Sequence, residues 1–131
     1  VLSAIAAAKR RVQEGDPVTV VDPRWVLPVR ASLVEAAKQF DVVVSVEDGL
    51  EVGGVGSELG RLCATAGAPP VQILGIPRAF LEHKTRAAIM KEVGLDEAGI
   101  VRAAKRGAQR VTVTKSSEQK LGVRADSSRG I

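Results

Sequence analysis

The spacing of apolar residues along the chain predicts five helices. In each segment apolar side chains recur every three or four positions, as they do on one face of a helix. Ser32 and Glu35 have the spacing of a capping box, which predicts that a helix opens at Ser32. Gly67 and the Pro69-Pro70 pair predict a helix end. The predicted helices cover 1–14, a segment opening at Ser32, 55–66, 83–92 and a segment opening at Asp96.

Three short runs rich in valine and isoleucine predict buried strands at Val18–Val21, Val42–Val46 and Val71–Ile76. The second run is apolar almost throughout, which is typical of a strand covered on both faces in a parallel sheet. Helices and strands alternate along the chain. We therefore predict an α/β fold with three αβα layers, a mostly parallel sheet and right-handed crossovers.

The pattern changes after residue 106. Residues 107–131 are polar, lack helical periodicity and contain one strand-like run, Val111–Thr114. We therefore predict an α/β domain over 1–106 and a flexible, basic tail over 107–131. The net charge of +4 comes from this end of the chain, because residues 105–131 hold seven Lys and Arg against two acidic residues.

Composition excludes several classes of protein. With two Phe, one Trp and no Tyr, the chain lacks the rings of a base-stacking surface, and its basic charges are spread out, so we do not expect a nucleic-acid partner. No apolar run reaches the roughly 20 residues of a membrane span, so we expect no membrane partner. One cysteine excludes an internal disulfide, and we expect a cytoplasmic protein without a metal site. Because the chain begins at Val1, we expect a fragment, a processed product or a partial gene.

A glycine-rich turn between a predicted strand and a predicted helix is a candidate phosphate site. Gly54 and Gly56 supply two glycines of a dinucleotide fingerprint, but Leu59 occupies the third position, and the lysine of a P-loop is absent. The turn either shapes the backbone or presents helix N-terminal amides to an anion. Nearby carboxylates would repel a phosphate, which favours the first interpretation. The candidate residues for an anion-binding or interface turn are Glu47, Asp48, Gly53, Gly54, Gly56 and Ser57.

Three stretches resemble the C-terminal domain of 1-deoxy-D-xylulose-5-phosphate synthase, a thiamine diphosphate-dependent relative of transketolase. They are VTVVDPRWVLPV (18–29), VVVSVEDGLEVGGVGS (42–57) and VQILGIPRAFLEHKTRAAIMKEVGLDEAGI (71–100). The resemblance covers residues 1 to about 105 and is most specific in the first stretch. It implies a transketolase C-terminal-like fold. It also implies a parent transferase, placed in isoprenoid and thiamine biosynthesis, that condenses pyruvate with glyceraldehyde 3-phosphate.

In this family the thiamine diphosphate and its Mg²⁺ lie between two preceding domains. The diphosphate motif of those domains is absent here, because Gly15-Asp16 runs into Pro17 and the chain has no Asn. The resemblance therefore implies a non-catalytic domain that binds no cofactor, packs against the catalytic domains and supports a homodimer. We expect the chain alone to be inactive.

The family's first strand, which precedes the first helix, is missing here. We hypothesise that Val111–Thr114, or another chain, fills or partly covers the open position in the sheet; the alternative is a fragment that is cut too short.

Four residues are candidates for a domain interface: Arg24, Trp25, His83 and Arg86. For Glu47 and Asp48, hydrogen bonding at the turn is favoured over an acid–base pair, because adjacent strand residues point opposite ways. Cys63 on an apolar helix face is expected to be a small buried hydrophobe. The alternative to an accessory domain is a free-standing anion or small-molecule binding module that uses the Gly53–Gly56 turn.

Overall fold

The computed structural model describes the backbone of residues 1–121 and the side chains of 1–114 and 116. Within this range the chain forms five helices and two strands, and helices and strands alternate in the middle of the chain. The elements are α1 (Leu2–Gln13), α2 (Ala31–Ala37), β1 (Val43–Leu50), α3 (Val55–Thr65), β2 (Val71–Ile76), α4 (Arg86–Glu92) and α5 (Glu97–Leu121).

The two strands pair in parallel, as predicted. Val43 lies opposite Val71 and Val46 opposite Leu74, and an irregularity then shifts the register so that Leu50 meets Ile76. Because strand side chains alternate between faces, β1 and β2 each present one set of residues to α3 and the other to α5. This two-strand sheet with helices on both faces is a partial αβα fold.

The core consists of two apolar clusters, one on each face of the sheet. On one face Leu59 and Cys63 of α3 pack with Val34 and Ala37 of α2 and reach Val43 of β1. On the other face the buried residues of α5 pack with α1 and with β2, through Ala7, Ile100, Val101 and Leu74. The Cys63 side chain is fully buried, and burial raises the pKa of its thiol, so it behaves as the small hydrophobe that was predicted.

The strand predicted at Val18–Val21 is wrong. These residues lie between α1 and α2 without strand structure, and no segment within residues 1–121 pairs with them. Val18, Val20 and Val21 are between 40% and 54% exposed. β-branched residues favour a strand only where a neighbouring strand can take up the backbone hydrogen bonds, and no such neighbour lies beside this run.

Two predicted helix starts are also corrected. Ser32 and Glu35 form no capping box, because α2 already begins at Ala31 and its N-cap is Arg30, without a side-chain bond; Glu35 instead pairs with Lys38. The helix predicted from His83 begins at Arg86, because the Thr85 hydroxyl caps it by accepting from the Ala88 amide.

Helix α5 crosses the boundary predicted at residue 106 without a break. Val111–Thr114 lies inside this helix, so the strand predicted there is wrong, and so is the hypothesis that it fills an open position in the sheet. Gly107 is buried: a Cβ at this position would lie 2.6 Å from Val42 Cγ1 and 3.3 Å from Gln72 Cγ. The helix therefore packs on the sheet beyond residue 106. A flexible tail stays a prediction for residues 122–131, which lie outside the described residues.

Candidate functional site

The glycine turn joins the end of β1 to α3, and a side chain of β1 holds it. The Glu47 carboxylate accepts hydrogen bonds from the Val55 amide at 2.9 Å and from the Gly56 amide at 3.4 Å. The Ser57 hydroxyl accepts from the Gly53 amide at 3.1 Å and donates to the Glu51 carbonyl at 2.7 Å. Three amides that could have faced an anion are thus bonded to the protein itself.

Glu47 occupies the place at which a helix favours negative charge. The first amides of a helix lack intrahelical partners and carry partial positive charge. A carboxylate there accepts hydrogen bonds from these amides and also balances their charge. This confirms the prediction that Glu47 forms hydrogen bonds at the turn. A phosphate at the same amides would have to displace the Glu47 carboxylate.

The glycines of the turn are required by close approach and backbone shape. Gly53 has a φ of 79°, in the left-handed region. A Cβ at Gly54 would lie 2.7 Å from Glu47 Cδ, and a Cβ at Gly56 would lie 2.9 Å from Ile73 Cγ2. The turn therefore brings α3 close to the sheet and to Glu47, as the structural interpretation of the sequence predicted.

Asp48 does not join the turn. It forms an exposed ion pair with Arg86 at the start of α4. The two adjacent carboxylates of β1 therefore contact different helices, Glu47 the start of α3 and Asp48 the start of α4. Lys84, next to α4, pairs with Glu92 at 2.7 Å, and this hydrogen bond raises the pKa of the lysine. Thr85 caps α4, and His83, two residues earlier, is exposed.

An apolar groove of about 250 Å³ lies beside the segment that connects α1 to α2. Trp25, which is 64% exposed, lines it together with Val26, Leu33 and Val55. Arg24, which precedes the tryptophan, has a φ of 54°, and its amide donates to the Asp22 carboxylate at 3.0 Å. The wall of this groove is therefore exposed apolar surface that includes a tryptophan.

Phe80 was not predicted as a site residue, yet its side chain is 95% exposed, more than any other large apolar residue described. It lies in the loop between β2 and α4. One signal was present in the sequence: Phe80 falls between Pro77 and a charged stretch, outside any helical or strand period.

Comparison with known proteins decides the family. The family model for the C-terminal domain of transketolase matches residues 1–118. The chain belongs to the transketolase C-terminal domain family. A relative from Rhodococcus jostii, a 1-deoxy-D-xylulose-5-phosphate synthase, is 48% identical over 100 residues, which are 76% of this chain and 15% of the relative. The Cutibacterium acnes synthase is 50% identical over 92 residues (70% and 15%), and that of Corynebacterium glutamicum 41% over 98 (74% and 16%).

This transketolase C-terminal domain spans about 15% of the length of the curated relatives it matches. The match lies in their C-terminal region, so the resemblance identified from the sequence motifs is confirmed.

The residues of the glycine turn do not fit the thiamine diphosphate that the resemblance implies for the parent enzyme. The amides of the glycine turn are bonded to Glu47 and Ser57, and Glu47 would oppose a diphosphate by charge. Among the side chains of 1–114 and 116, no group of three is suited to holding a metal ion. Within residues 1–121, no helix has the length and the apolar character that crossing a membrane requires.

Proposed function

We propose that this chain is a non-catalytic accessory domain that packs against the catalytic part of a 1-deoxy-D-xylulose-5-phosphate synthase. The observation that supports the proposal most directly is the apolar groove with the exposed Trp25. A partner that covers this groove would stabilise the complex, since burial of apolar area is favourable by about 25 cal/mol per Å². The match to the C-terminal region of much longer relatives supports the rest of such a synthase as the covering partner.

In this proposal the chemistry belongs to the rest of the synthase. That part binds thiamine diphosphate and Mg²⁺ and condenses pyruvate with glyceraldehyde 3-phosphate, as the resemblance implies. The present domain supplies packing surface, including Arg24, Trp25, His83 and Arg86, and supports a homodimer of the full-length, cytoplasmic enzyme. The glycine turn serves the architecture of the domain.

A chimera tests this function. In the Rhodococcus jostii synthase, the matched region is replaced by this chain, and the formation of 1-deoxy-D-xylulose 5-phosphate is compared with that of the synthase lacking the region. We expect the chimera to be active and this chain alone to be inactive.

Variants of the chimera test whether the groove lined by Trp25 contacts the rest of the synthase. We expect Trp25→Ala to lower activity or thermal stability, whereas Val113→Ala, which shortens an exposed apolar side chain on α5, should change neither. A chimera as inactive as the shortened synthase would overturn the proposal. Phosphate bound at the Gly54–Ser57 amides of the isolated chain would instead favour the anion-binding alternative.

A further inference from the structure

The loop between β2 and α4 extends from the body of the domain. Every residue of 78–88 is exposed except Leu81, which is half-buried, and α4 contributes no buried residue to either core cluster. In this segment Phe80 is 95% exposed. An aromatic side chain left in water loses the large stabilisation that its burial would provide.

Exposed ion pairs connect this loop to its surroundings. Arg86 pairs with Asp48 at the end of β1, which ties the start of α4 to the sheet. Lys84 contacts Glu92 at 2.7 Å and Glu82 at 3.6 Å, so the loop is also linked to the last turn of α4. Phe80 therefore lies in a loop that exposed ion pairs connect to α4, and α4 to the sheet, while its own side chain contributes to neither core cluster.

The charge beside Phe80 indicates what kind of surface it would meet. Arg78, two residues earlier, is exposed and forms no ion pair with the side chains that the structure describes, those of 1–114 and 116. Aromatic residues and arginine are the side chains that most often dominate the energy of an interface. A surface complementary to both has an apolar socket with a carboxylate at its border.

We propose that Phe80 is an anchor that inserts into such a socket on the catalytic part of the synthase, with Arg78 paired to the bordering carboxylate. The catalytic part is taken as the partner that carries the socket, because this chain spans only about 15% of its relatives' length. The inference rests on the proposed function and adds a second contact, since none of the residues that line the Trp25 groove comes from 77–86.

Hydroxyl-radical footprinting tests the proposal without a mutation. The oxidation rates of Phe80 and of Phe40, which is 39% exposed, are measured by mass spectrometry in this chain alone and in the active chimera described above. In the chain alone Phe80 should react faster than Phe40, because it is more exposed. In the chimera we expect the rate at Phe80 to fall several-fold, to below that of Phe40.

Variants of the chimera give a second readout. Phe80→Ala should weaken association of the domain with the rest of the enzyme, seen as faster proteolytic release of the domain, and Arg78→Glu should act in the same direction. Val113→Ala is the matched control on an exposed apolar residue. Each variant is checked in the isolated chain, where the high exposure of both side chains predicts unchanged unfolding.

The outcomes separate the two proposals. An active chimera in which Phe80 reacts as fast as in the chain alone would overturn the anchor and leave the accessory function standing. An inactive chimera would overturn both. Protection of Phe80 together with faster release of the Phe80→Ala domain would support the anchor.

Discussion

Glu47 shows how one side chain decides between two interpretations of the same sequence motif. The glycine turn at the start of α3 has the residue types of a phosphate loop, but its Val55 and Gly56 amides bond to the Glu47 carboxylate. The negative charge at the helix N-terminus is thus supplied from within the domain. This role was predictable in kind, because adjacent strand residues point opposite ways, but the partner amides were not.

Replacing Glu47 tests this assignment. Glu47→Gln retains an acceptor and removes the charge, and we expect a loss of about 0.5–1 kcal/mol in the free energy of unfolding. Glu47→Ala leaves the Val55 amide without its acceptor and should cost about 1–3 kcal/mol. Urea unfolding measures both losses. Glu51→Gln is the matched control from the same turn, because the Glu51 side chain forms no bond with the described residues; an equal loss there would show that the Glu47 geometry is irrelevant.

The failed capping box at Ser32 shows a limit of residue-scale prediction. The Ser-x-x-Glu spacing is present, but α2 begins one residue earlier, and Glu35 bonds to Lys38 at 2.7 Å. A four-residue motif is compatible with several helix starts, and the packing of Val34 and Ala37 against α3 fixes one of them.

At the scale of elements, the sequence predicted the elements that pack on the core and missed the exposed end of α5. The apolar periods of α3 and the valine runs of β1 and β2 predicted these elements because each packs on the core. Residues 108–114 of α5 are almost all exposed, so no apolar stripe marks them and the sequence did not predict a helix there. The strand predicted at Val18–Val21 is wrong for a different reason: the residues favour a strand, but no neighbouring strand pairs with them.

Two glycines in helices give a paired test of the α5 packing. At Gly107 a Cβ would lie 2.6 Å from Val42 Cγ1, so Gly107→Ala should destabilise the domain by about 1–3 kcal/mol through overpacking. At Gly60 in α3 the nearest atom is Ile73 Cδ1 at 3.7 Å, so Gly60→Ala should stabilise it by about 0.5–1 kcal/mol through helix propensity. Thermal and urea unfolding distinguish the signs. Stabilisation by both substitutions would contradict the packing of α5 on the sheet at residue 107.

The contact between α1 and α5 should depend on pH. The Lys105 ammonium, 2.9 Å from Glu14 Oε2, lowers the pKa of the Glu14 carboxyl, and Arg11 acts in the same direction. Because the folded-state pKa lies below that of the unfolded chain, the stabilisation is fully present above the unfolded value. It is lost as the pH falls through the lowered one.

A double-mutant cycle measures this dependence. Glu14→Gln and Lys105→Met are combined, and the coupling in the free energy of unfolding is determined near neutrality and at a pH below the lowered pKa. We expect a favourable coupling at neutrality and none in acid. A coupling that persists when Glu14 is protonated would contradict the ionic origin.

At the scale of the whole molecule, sequence motifs identified the family and the structure identified the surfaces. The motifs at 18–29 and 71–100 indicated a synthase C-terminal domain, which the comparisons confirmed. The exposure of a side chain cannot be read from its residue type, because Phe80 and the fully buried Cys63 are both apolar residues with an apolar neighbour and an arginine two positions earlier. The surfaces around Trp25 and Phe80 are what an accessory domain would leave for its partner.

The measurement that tests the accessory role most directly is a calorimetric titration of this chain into the Rhodococcus jostii synthase lacking the matched region, repeated at several temperatures. We predict saturable binding with a negative heat-capacity change, because complex formation would remove the apolar surface around Trp25 and Phe80 from contact with water. A folded chain that produces no heat of binding at any temperature would contradict the account.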